Sequence, residues 1–97
     1  MEFVFTENAP RPLGHYSQAV IAGGLIFVSG QLPMDPVTGE VETSIREQTN
    51  QVLENLENIL VAAGSSLQNV VKVTGFISDI SFWGEINEIY AGKFGEH

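Results

Sequence analysis

Two apolar runs, residues 17–21 and 25–29, stand either side of Ala22-Gly23-Gly24 in LGHYSQAVIAGGLIFVSGQL. The pattern predicts a β-hairpin, since glycines supply the positive φ that a tight hairpin turn requires. Its open end is polar: Tyr16, Ser17 and Gln18 on one side, Ser29 and Gln31 on the other. Upstream, EFVF at 2–5 predicts a short strand. TENAPRPLG then predicts a loop, because Pro10 and Pro12 block regular structure. After the hairpin, LPMDPVTGE predicts a second loop, with Asp35-Pro36 starting a turn and Gly39 able to go left-handed.

Residues 45–63 carry the clearest helix signal. Ile45, Val52, Leu53, Leu56, Ile59, Leu60 and Ala63 fall at the spacing of one buried face. Ser44 and Glu47 read as a capping box, and Gly64 as the stop. VVKVTGFI at 70–77 predicts a strand, with Val71, Val73 and Ile77 on one face and Lys72, Thr74 and Phe76 on the other. A second helix is predicted from about Phe82 to Phe94, capped by Asp79 or Ser81, with Phe82, Ile86, Ile89 and Tyr90 as its core stripe.

The order strand, hairpin, helix, strand, helix gives an α+β class. Both helices can cover one face of the sheet, which leaves the other face open. That face is apolar too, since Val20 and Phe27 alternate with Ile21 and Val28. A second apolar face predicts burial against another subunit, hence a homo-oligomer.

Composition narrows the picture. At 97 residues, 43% hydrophobic and 16% charged, the chain reads as one globular domain without repeat or linker. No apolar run approaches the ~20 residues of a membrane span. The acidic start MEFVFTENAP lacks the basic opening of a signal peptide, so a cytoplasmic protein is expected. The absence of cysteine rules out thiol catalysis and cysteine-bound metals. Net charge is −8, with Arg11, Arg46, Lys72 and Lys93 as scattered cations, a poor base for binding nucleic acid.

Candidate chemistry gathers at the hairpin's open end. A two-residue turn would set Tyr16 directly or diagonally opposite Ser29 on one face, beside the Gly30 backbone. A three-residue turn would separate them. Spacing alone favours the plainer reading, in which both bond to neighbouring loops. Asn87, mid-helix between Trp83 and Tyr90, either faces solvent or holds a partner. His15 and His97 lack metal-ligand spacing. Glu47, Glu54 and Glu57 read as a solvated helix face, and Lys72 as an ordinary strand lysine.

The chain resembles the reactive intermediate deaminase family, also called RidA or YjgF. The resemblance lies in A-P-x-P-L-G-x-Y-S-Q-A-V at 9–20, G-x-x-F-V-S-G-Q-L-P at 24–33, D-P-x-T-G at 35–39, the stretch 47–80 and F-x-x-I-N-E-I-Y at 82–90. It implies a chorismate-mutase-like α+β fold: a mixed sheet, two helices on one face, and a homotrimer interface on the other. It also implies hydrolysis of 2-aminoacrylate or 2-iminobutanoate intermediates to 2-keto acids and ammonia, without metal or organic cofactor. Tyr16, Ser29 and Asn87 match family pocket positions, with Gly30 supplying backbone. A non-catalytic keto- or amino-acid-binding module is the alternative, and an RNA-directed ribonuclease or translation inhibitor a further one that the charge opposes.

Two departures stand out. His15 occupies a place where the family has proline. The family's P-A-R-S motif, whose arginine clamps the substrate carboxylate, and a water-activating glutamate are expected beyond His97. The single domain 1–97 is therefore expected to lack the family's C-terminal strands and, by itself, activity.

Overall fold

The computed structural model describes residues 1–95, so His97 lies outside the described residues. The hairpin forms where its glycines place it. β1 (Glu2–Val4), β2 (Ala19–Ala22) and β3 (Leu25–Val28) pair antiparallel in the order β1-β2-β3. Gly23 and Gly24 make the two-residue turn at φ 58° and 78°. Two positive φ values in succession give the twist that matches the flanking strands.

The register divides the sheet into two apolar faces. Val4, Ala19, Ile21, Ile26 and Val28 lie on one, in contact with Ala9 and with Ile59 of α1 (Ile45–Ala62). Phe3, Val20 and Phe27 form a row on the other. That row is open: Phe3 is 70% exposed and Phe27 57%.

α1 starts and stops as its ends predict. The Ser44 Oγ accepts the Glu47 N–H at 3.1 Å, and Gly64 turns the chain away at φ 86°. Leu53, Ile59 and Leu60 are buried on the expected stripe. The second helix, α2 (Trp83–Phe94), follows a short 3₁₀ turn at Ile80–Phe82. Asp79 caps that turn by accepting the Ser81 N–H at 2.9 Å, a bond that lowers its carboxyl pKa. Ile86 is buried, and Tyr90 meets Phe94 edge-on with ring centroids 5.6 Å apart. Burial pushes the Tyr90 phenol pKa up. α2 packs on α1, and Arg46 bonds Glu88 across them at 3.1 Å. Both charges are exposed, so this pair adds little.

One predicted element differs. Residues 70–77 form no strand, and none of the described residues hydrogen-bonds to the backbone of 71–77. The apolar alternation is there, but a strand exists only with an edge to pair with. An open cavity of about 460 Å³ separates this segment from β3. Its side chains are correspondingly bare, Val71 at 88% and Phe76 at 95% exposure. The α+β class stands, while the sheet of the described residues is antiparallel throughout rather than mixed. No helix among them is long and apolar enough to cross a membrane.

Candidate functional site

Two buried amides organise the hairpin's open end. Gln18 is 1% exposed. Its Oε1 accepts the Thr6 N–H at 2.7 Å, and its Nε2 donates to the carbonyls of Thr6, Ala9 and Pro10 at 3.0, 3.3 and 3.0 Å. With Asn58, which donates to the Asn8 carbonyl at 2.8 Å, this side chain fastens the proline-broken loop that could not satisfy its own backbone. Asn55, fully buried on α1, does the same for the second loop. Its Nδ2 donates to the carbonyls of Leu32 and Met34 at 3.1 and 2.9 Å, and its Oδ1 accepts from Gln51 Nε2 at 2.9 Å. The turn beyond Met34 is closed by Asp35, whose Oδ1 accepts the N–H groups of Val37 and Thr38 at 2.7 and 3.0 Å. Those bonds, led by the one from Thr38, hold the Asp35 carboxyl pKa below its usual value.

Between the two fastened loops lies a cleft. Arg11, Leu13, Tyr16, Gly30, Gln31 and Met34 are among its walls. Its volume is about 20 Å³, room for about one water. The Tyr16 hydroxyl accepts the Leu13 N–H at 3.3 Å, which leaves its own proton available to donate. No carboxylate lines the cleft among the described residues. Nor does any group of three or more His, Asp or Glu side chains converge there as metal ligands would.

The residues singled out from sequence separate. Tyr16 and Gly30 meet in this cleft. The two-residue turn sets Ser29 opposite Gln18, whose carbonyl accepts the Ser29 N–H at 3.0 Å. Tyr16 leaves the ladder, because a bend bonds its N–H to the Gly14 carbonyl at 3.0 Å. The Ser29 hydroxyl donates to the Ser17 carbonyl at 2.6 Å. Asn87 is exposed on α2 and lines neither cavity. Arg11 also reaches the cleft, which its place between two prolines did not signal. Its guanidinium lies 3.8 Å from Glu7 and 5.4 Å from the Phe5 ring centre. The clue available in the sequence was Gln18, a residue able to pull loop 6–10 back onto the hairpin.

The family model described as Endoribonuclease L-PSP matches residues 6–97. A RutC family protein of Pyrococcus horikoshii is 54% identical over 96 residues, covering 98% of this chain and 76% of that protein. The chain belongs to the RidA/YjgF family. The crystal structure of RidA from an Antarctic Psychrobacter superposes with a TM-score of 0.96 at 38% identity, over 99% of this chain and 78% of that one. TdcF of Escherichia coli, named as a reactive intermediate deaminase, is 41% identical over 99% of this chain and 74% of its own length. Its crystal structure with bound serine gives a TM-score of 0.95, over 100% of this chain and 76% of that one. RidA-family relatives thus carry about a quarter of their length with no counterpart here.

Proposed function

We propose that this chain forms part of a reactive intermediate deaminase. It hydrolyses enamine and imine intermediates of the 2-aminoacrylate and 2-iminobutanoate type to 2-keto acids and ammonia, the enamine after tautomerising to its imine. The similarity to TdcF, extending over 99% of this chain, carries the reading. In the reaction, water adds to the C=N carbon. The carbinolamine then expels ammonia as C=O forms. The carbon is already electrophilic, so holding the water and the planar imine in register supplies much of the rate. In this proposal Tyr16 covers the imine and donates a hydrogen bond. Ser29, the Gly30 backbone and Asn87 orient substrate and water. The cleft of one protomer admits a water but not a four-carbon acid, so the remaining walls come from elsewhere in a homotrimer. The carboxylate clamp and water-activating glutamate likewise come from polypeptide outside residues 1–97.

A dehydratase-coupled assay tests this, with 2-iminobutanoate generated in place and ketoacid formation followed. The 97-residue chain should give no rate above solvent. The chain joined to the Pyrococcus relative's unmatched segment should be active, and Tyr16→Ala in that longer protein should lower kcat/KM by about 10²-fold, the scale of lost positioning. Strong hydrolysis by the 97 residues alone would remove the missing-clamp proposal. Silence from the longer protein would remove the deaminase. Binding without turnover is favoured by one observation, the serine in TdcF. Calorimetric binding of 2-ketobutyrate by an inactive longer protein would establish it.

The open row Phe3, Val20 and Phe27 is proposed as the trimer interface. Sedimentation should give three times the 10.6 kDa protomer mass. Phe27→Asp should reduce it to one, because a carboxylate does not leave water without a partner. A monomeric parent chain would rule this interface out.

A further inference from the structure

Arg11 is the one charged side chain among the described walls of the Tyr16 cleft. Its backbone is fixed before any ligand arrives. Pro10 and Pro12 lock their own φ on either side of it. The Pro10 carbonyl is tied to Gln18 Nε2 at 3.0 Å. The guanidinium itself is barely engaged. It lies 5.4 Å from the Phe5 ring centre, and a ring attracts a cation without offering lone pairs to its N–H groups. Its carboxylate neighbour, Glu7, stands 3.8 Å away, with both side chains exposed. That is beyond hydrogen-bond length, so the guanidinium donors remain open to a ligand. A chain of net charge −8 thus places a lone positive side chain at this cleft. Leu13 and Met34 add apolar surface to the same walls. An anion on a short aliphatic stem fits that combination, with its methylenes on the apolar side chains and its carboxylate on the guanidinium fork.

We infer that Arg11 is a specificity residue: it binds the distal carboxylate of 2-imino acids that carry two. The inference rests on the deaminase reading and names a substrate class within it. The α-carboxylate goes to the clamp from outside residues 1–97. Water adds to the C=N carbon and ammonia leaves as C=O forms, so the product is a 2-keto dicarboxylic acid. The distal carboxylate makes and breaks no bond. The cleft holds about one water. The distal arm therefore lies across its mouth, where the Arg11 side chain is 74% exposed. Glu7 is the internal rival for the same guanidinium.

The longer protein, this chain joined to the Pyrococcus relative's unmatched segment, is assayed with 2-iminoglutarate and with 2-iminobutanoate. An amino-acid oxidase generates each imine in place, and ketoacid formation above the solvent rate is followed. The parent should hydrolyse both. The readout is the ratio of the two kcat/KM values, dicarboxylic over monocarboxylic. Arg11→Ala should lower it about tenfold, the scale of one charge-assisted hydrogen bond. Arg11→Glu should lower it further. Arg11→Lys should recover part of it, since an ammonium keeps the charge and loses the fork. Glu7→Gln should raise it about twofold, because an exposed pair holds the guanidinium weakly. A purely structural Arg11 would move both values together and leave the ratio fixed. An unchanged ratio in Arg11→Ala, with 2-iminobutanoate still hydrolysed, overturns the inference and leaves the deaminase standing. So does a parent that hydrolyses 2-iminobutanoate and leaves 2-iminoglutarate at the solvent rate. A longer protein that turns over neither imine overturns both.

Discussion

Gln18→Leu should unfold this protein more readily than loss of an exposed ion pair or cap would. The substitution keeps the volume and removes four hydrogen bonds to loop 6–10. Leucine offers nothing to the Thr6 N–H or to three carbonyls. A buried group left unpaired costs about 1–3 kcal/mol, and partial rehydration of this loop brings the total to about 3 kcal/mol. For a domain of this size that lowers Tm by roughly 12–24 °C. Calorimetry at one fixed protein concentration reads it, since association would otherwise shift Tm. Gln18→Glu separates the two halves of the clamp: it keeps an acceptor for Thr6 and loses the donors to the carbonyls. It should recover little. A Tm within 3 °C of the parent for Gln18→Leu, about half a kcal/mol, would show that water replaces the side chain.

The same residue marks how much the sequence disclosed. The hairpin, both helices and their stops were legible because each rests on local chemistry: paired glycines, a 3.6-residue stripe, Ser44, Gly64. The free apolar sheet face was legible for a similar reason, since alternation assigns Val20 and Phe27 to the side the helices do not cover. The pairing of 70–77 was not, because its pattern states that a strand could form and is silent on the availability of an edge. The cleft was half legible. Tyr16 and Gly30 do come together, but through a bend at 13–16 rather than through the ladder that spacing suggested. Gln18 and Asn55 were read as an open-end polar residue and passed over on a helix, respectively. Polar residues signal burial only through partners distant in sequence, here 8 to 12 residues away for Gln18 and 21 to 23 for the carbonyls of Asn55.

Fold and site are therefore coupled through these amides. The loops flanking the cleft have no regular structure; Gln18 beside β2 and Asn58 of α1 hold the first, and Asn55 of α1 holds the second. Arg11, Leu13 and Tyr16 continue the loop that Gln18 fastens; Gly30 and Gln31 lead into the one that Asn55 fastens. A small loss at either amide reaches the cleft before it reaches the core, because the hairpin and α1 keep their own hydrogen bonds. Partial loosening should thus appear first as faster amide exchange in loops 6–13 and 30–34.

Asn55→Asp should make the stability of this protein depend on pH in a way the parent does not. The wild-type amide donates to the carbonyls of Leu32 and Met34 from a fully buried position. An ionised carboxyl there would face two carbonyl oxygens with no donor except Gln51 Nε2. Burial and the facing oxygens both favour its neutral form, so its folded pKa rises above the unfolded value of about 3.9. The protonated acid can still donate to one carbonyl. Stability is therefore highest below about pH 4, falls as pH rises toward the folded pKa, and levels off above it. A rise of about 3 units corresponds to about 4 kcal/mol lost between pH 4 and neutrality. Urea titrations of parent and variant at matched pH values give the difference curve, in which groups common to both cancel. Asn55→Leu is the companion measurement: it loses the donors without gaining a charge, so its deficit should be flat with pH. A flat curve for Asn55→Asp as well would mean that water reaches this position. The loop at 32–34 would then be held by its backbone and not by the amide.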